Sequence, residues 1–82
     1  MDSRAVMKLF WLAFQTDDGP EVFIQTAHSL LFARLVAMIK GQKDFYSEGH
    51  VLDEATAKKV PKEMIGRTLS QTEALRLLKR MA

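Results

Sequence analysis

Four residues near the start of the chain constrain its fold more than any others. Asp17-Asp18-Gly19-Pro20 separates two strongly apolar segments. A link this short forces the flanking elements to lie side by side and antiparallel. Asp18 and Glu21 have capping-box spacing, and a proline in the first turn of a helix has no N–H to lose. The spacing therefore predicts a helix starting at Pro20. The first segment is read the same way. Val6, Phe10 and Phe14 recur every four residues, with Leu9 and Ala13 beside them, and Asp2 or Ser3 is placed to cap. The expectation is a long antiparallel helical hairpin over about residues 3–16 and 20–40, stopped by Gly41.

Further along, Gln42–Leu52 reads as a loop bracketed by Gly41 and Gly49, with a single turn at Asp44–Ser47 anchored by Phe45 and Tyr46. Asp53 caps a short helix over about 54–60, ended by Pro61. Ser70 and Glu73 form a capping box for a helix over about 71–81, whose stripe is Ala74, Leu75, Leu77, Leu78 and Met81. Convincing period-two alternation is not found in any segment. The fold expected is all-α, in one small domain over residues 1–82, since 82 residues leave no room for a second.

Apolar residues make up 48% of the chain, which is globular composition. They are unevenly placed: 23 fall in the first 41 residues and 16 in the last. A domain this small needs a staple, and there is no cysteine to make one. The surplus favours self-association. Residues Leu35 to Ile39 carry apolar side chains all round a helix, more than one neighbour can cover. Trp11, Arg34, Val36 and Ile39 are the expected protein interface. Large aromatics are enriched at interface centres. Arg34 interrupts the most apolar stretch, so it either reaches water along its methylene stem or pairs across an interface with Glu21, Asp17 or Asp18 of a second copy.

Charge runs the other way. Residues 1–49 hold five lysines and arginines against six acids, and residues 50–82 hold seven against four. Lys58, Lys59, Lys62, Arg67, Arg76, Lys79 and Arg80 are candidate contacts for nucleic-acid phosphates. The link between the last two helices is too long for a helix-turn-helix.

Chemistry is sparse. The sequence holds no Gly-rich phosphate loop, GxSxG or HExxH motif. The two histidines are far apart. His28 reads as a half-buried contact or as a pH-sensitive one. Glu48, His50, Asp53 and Glu54 form the one ligand-like cluster, and ordinary cap and loop roles explain it better than a divalent ion does. No catalytic, cofactor or metal residue is assigned. A membrane span needs about 20 apolar residues. Leu30–Ile39 has ten, including Arg34, and Met1–Phe14 lacks signal-peptide features.

The run Val60-Pro61-Lys62-Glu63-Met64-Ile65-Gly66-Arg67-Thr68-Leu69-Ser70, continuing to Ala74, Leu77 and Leu78, resembles the short C-terminal repeat of some bacterial topoisomerases. The likeness covers about 20 residues and stops at Ala82, before the Gly-Lys-Thr and strands of that repeat. It implies nucleic-acid company. The function expected is a non-enzymatic, cytoplasmic interaction module, homodimeric through its first two helices and bound to a macromolecular partner. The alternative is nucleic-acid binding through the basic C-terminal segment.

Overall fold

A computed structural model describes residues 7–17, 19–40 and 45–81. It corrects the all-α expectation. The long helical hairpin does not form, and its place is taken by a β-hairpin. β1 is Lys8–Thr16 and β2 is Gly19–Ala27, antiparallel from Lys8↔Ala27 to Thr16↔Gly19. α1 follows at Leu30–Ile39, then β3 at Phe45–Leu52 and the four-residue α2 at Glu54–Ala57. A 3-10 turn at Lys62–Met64 leads to β4 at Thr68–Leu69 and α3 at Gln71–Met81. The sheet order is β3-β1-β2-β4, antiparallel throughout its named strands.

The short link does reverse the chain antiparallel, but the elements it joins are strands and not helices. A spacing of four residues, as in Phe10 and Phe14, fits a strand as well as a helix, because four is even. The usual mark of a strand is alternation between apolar and polar. Here both faces of the sheet are covered, and such strands read as continuous apolar runs. Leu9, Trp11, Val22 and Ile24 face one core, with Leu52, Val60, Leu69, Ala74 and Leu77. Phe10, Leu12, Phe14 and Phe23 face the other, with Ala27, Ala33 and Ala37. The first core lies under α2 and α3, the second under α1. Each central strand carries four aromatic or β-branched residues among its nine, which suits a pleated surface.

Glycine opens the hairpin. Gly19 has φ +109°, and Thr16 Oγ1 donates to its carbonyl at 2.6 Å. Pro20 sits at the start of β2, where a missing N–H is tolerated. The capping box expected of Asp18 and Glu21 has no helix to start, because Pro20 and Glu21 lie in β2, with Glu21 opposite Phe14; Asp18 itself, the stop at Gly41 and the caps at Asp2 and Ser3 lie outside the described residues.

β3 replaces most of the expected loop. Its ladder to β1 shifts between Ala13 and Phe14, so that Ala13 faces Glu48 and Phe14 faces Tyr46. Ser47 is the extra residue of this bulge. Inserting it turns Tyr46 onto the same face as Phe14. The two rings meet edge to face, 5.7 Å between centroids. Gly49 faces the same side, and a Cβ there would lie 2.6 Å from Tyr46 Oη, 2.8 Å from Leu12 Cδ2 and 3.0 Å from Leu30 Cδ1.

The C-terminal third follows its sequence signals. Asp53 accepts from the Thr56 N–H at 2.7 Å and caps α2, which ends at Ala57, shorter than expected. Ser70 and Glu73 form the reciprocal capping box of α3, at 3.2 and 3.1 Å. Gly66 has φ +82° and donates to the Ile24 carbonyl at 2.7 Å. At this glycine the chain passes from a parallel bridge, Ile24↔Ile65, to the antiparallel β2·β4 pairing.

Gly49→Val is expected to destabilise the protein by about 2 kcal/mol, since the buried Leu12 contact leaves the new side chain no room. Chemical denaturation of the two proteins measures it.

Candidate functional site

α1 is turned inside out. Ser29 caps it by accepting from the Phe32 N–H at 3.2 Å. Its small side chains, Ala33 and Ala37, lie fully buried against the sheet. That brings the helix axis close to β1 and β2. Apart from Leu30, which packs on the same core as Ala33 and Ala37, the large apolar side chains turn outward. Leu31 is 65% exposed, Phe32 49%, Leu35 48%, Met38 54% and Ile39 83%. At about 100° per residue these five cover a sector some 120° wide on the outer side. Isolated exposed apolar residues are ordinary, but five on ten residues of helix form a continuous patch.

Arg34 borders this patch. Its guanidinium carbon lies 3.9 Å from the centre of the Tyr46 ring. The cation is thereby placed on an aromatic face and its half-buried stem covers apolar surface. The Tyr46 partner was not expected from sequence, because the bulge that aims the ring is invisible there.

Of the other residues expected at an interface, Ile39 is the most exposed of the five and Val36 is half-buried. Trp11 is not at the surface. It is 7% exposed, in the core beneath α3, because it sits on a central strand. Leu31, Phe32, Leu35 and Met38 were missed as site residues. Their signal is the Ala33/Ala37 pair at i, i+4, which marks the inner face once the helix is limited to ten residues.

The basic residues lie on elements covering the opposite face of the sheet. Lys58, Lys59, Lys62, Arg76, Lys79 and Arg80 are exposed. Lys59 Nζ donates to the Met81 carbonyl at 3.3 Å, which ties the turn after α2 to the end of α3. Arg67 has a structural engagement. It bridges Glu73 at 2.9 Å and donates to the Glu63 and Thr68 carbonyls.

Glu48 and His50 lie on the α3 side of β3, and Asp53 holds its cap. Among the described residues no three His, Asp or Glu side chains converge as metal ligands would. A cleft of about 460 Å³ opens between Met7, Leu9, Leu52 and Ala57, with Lys8, Asp53 and Glu54 as charged members. Its chemistry is apolar contact with scattered charge.

Two carboxyl groups titrate below their usual range. The Arg67 guanidinium, then the Ser70 N–H, hold Glu73 down. The Thr56 N–H, then its hydroxyl, hold Asp53 down. A depressed carboxyl stabilises the fold fully above its unfolded value, and the contribution disappears as pH falls through the folded value.

Compared with known proteins, the chain matches no family model, no curated protein and no solved structure. Among the described residues, no helix is long and apolar enough to cross a membrane.

Two outcomes follow from this geometry. Trp11→Ala is expected to lower stability by about 3–5 kcal/mol, whereas Ile39→Ala changes it by about 0.5 kcal/mol or less; urea unfolding separates them. Glu73→Gln melts below the wild type at neutral pH, and the gap closes as the solution is acidified. Thermal melts across that range read it out.

Proposed function

We propose that the chain is a small, non-enzymatic interaction protein whose working surface is the outer face of α1. The observation that supports this is the inverted helix, with alanines inward and Leu31, Phe32, Leu35, Met38 and Ile39 outward. An exposed apolar patch of several hundred Å² matches the largest patch of an ordinary monomer, and such patches are often functional. Macromolecular partners suit it better than small ones, because the face is convex and small-molecule sites are concave. The cytoplasm is the compartment proposed with this reading.

The reading replaces the hairpin interface expected from sequence. Trp11 leaves the set, and Leu31, Phe32, Leu35 and Met38 join Ile39. Arg34 and Val36 flank the patch.

A second reading has its own observation in support. Lys58, Lys59, Lys62, Arg76, Lys79 and Arg80 are exposed on elements away from α1. Lysines and arginines so placed are suited to phosphate contacts, which are sequence-independent and weaken steeply with salt. Titrating the full chain against labelled DNA and RNA at low and moderate salt tests it. Absence of binding at low salt removes it.

For the leading reading, a photo-crosslinking phenylalanine analogue is placed at Leu35 of the full chain in the cells that express it. A control carries it at the exposed Gln15. Discrete protein adducts from position 35 and none from 15 are expected. An adduct-free position 35 would sink the reading.

A further inference from the structure

We infer that the occupant of the outer face of α1 is a second copy of this chain, packed antiparallel about a twofold axis at Leu35. This rests on the reading of that face as the working surface.

The pattern of the patch carries the inference. Its positions are 31, 32, 35, 38 and 39, which lie three and four residues to either side of Leu35. They are palindromic about that residue. A closed dimer needs a self-complementary surface, in which residue i meets j and j meets i. Antiparallel contact at Leu35 satisfies this with no polar residue trapped in the seam. Leu35 meets Leu35, Leu31 meets Ile39, and Phe32 meets Met38. The last pair sets a thioether against an aromatic ring, which is a favourable contact. The helix dipoles also run opposite to one another.

Area agrees. The five exposures together equal about three fully exposed side chains, which is on the order of 500 Å² from each protomer. Each partner of a standard protein interface gives roughly 800 Å². The stripe therefore supplies more than half of what a stable dimer needs, and the flanking Val36 and Arg34 stem add to it.

Charge separates this occupant from a lipid surface. A helix lying on a membrane typically carries lysines and arginines along its polar side. Within Leu30–Ile39 the one cation is Arg34, and it is placed over Tyr46. The five patch residues carry no charge, so nothing in the stripe opposes a second copy of itself.

The test is sedimentation of the purified full chain over a wide concentration range, with Leu35→Glu and Leu75→Glu as variants. Leu75 is 53% exposed on α3, away from the patch. The wild type and Leu75→Glu are expected to dimerise. Leu35→Glu is expected to weaken dimerisation by on the order of a hundredfold or more, with its helix and strand signals unchanged in circular dichroism. The sequence has no cysteine, so single-cysteine variants report the register. Leu35→Cys is expected to form a disulfide dimer on oxidation. Leu31→Cys alone is not, but it does when mixed with Ile39→Cys.

A wild type that stays monomeric at every concentration overturns the inference, as does a dimer indifferent to Leu35→Glu. Cross-linking of Leu31→Cys to itself, without Leu35→Cys, overturns the register and with it the twofold placement. A monomer that co-sediments with phosphatidylcholine–phosphatidylserine vesicles assigns the face to lipid instead. Where the purified chain is monomeric but position 35 still cross-links to proteins of other mass in cells, self-pairing falls and the interaction reading stands. Where neither self nor other adducts form, both fall.

Discussion

Burial of β1 and β2 on both faces is the constraint on which the rest of the structure depends. Leu9 and Trp11 serve one core, Phe10, Leu12 and Phe14 the other. A strand apolar on both sides cannot rest against one layer and leave the other wet. It demands cover above and below, and the chain supplies it with α1 on one side and α2 with α3 on the other. Few long side chains are therefore left to choose between the cores, and the remaining elements divide the sheet between them. The division is unequal. The α2–α3 side draws on Leu52, Val60, Leu69 and Leu77 as well as the strands. The α1 side is closed by alanines.

That inequality produces the candidate site. A helix that presents alanine to a sheet of phenylalanines approaches closely and fills the layer with aromatic volume from below. Its own large side chains are then not needed inside. They are left at the surface, exposed to water. Arg34 marks the border between the two regimes. Its charge is held over Tyr46, and Tyr46 is available only because the Ser47 bulge and the bare Gly49 let the ring lie against Phe14 and Leu12. One irregular residue in an edge strand thus decides where the only cation of α1 sits.

The legible parts of the sequence were the local ones. The capping box of Ser70 and Glu73, the cap at Asp53 and the helix over 71–81 are read from side chains within a few residues of the groups they satisfy. The apolar excess of Leu35–Ile39 was legible, but not its distribution: Ala37 is fully buried and Val36 half-buried, while Leu35, Met38 and Ile39 are exposed. The orientation of α1 was not legible, because the helix was drawn twice too long and its inner face could not be told from its outer. Trp11 was misplaced by a different error, the reading of β1 as a helix. On a helix it is free to face outward, while on a central strand every direction leads into a core.

What the sequence determined alone is a set of local features: the reversal between the first two elements and the capped starts of α2 at Asp53 and of α3 at Ser70. It also determined that the first half is too apolar to stand exposed. What only the tertiary structure decided is whether that half is helix or sheet. Apolar residues at even spacings fit both periods. Alternation is the signal that separates them, and it vanishes when both faces of a strand are buried. The choice then falls to long-range pairing, above all of β1 with β3 across about thirty to forty residues, and no short window of sequence contains that information.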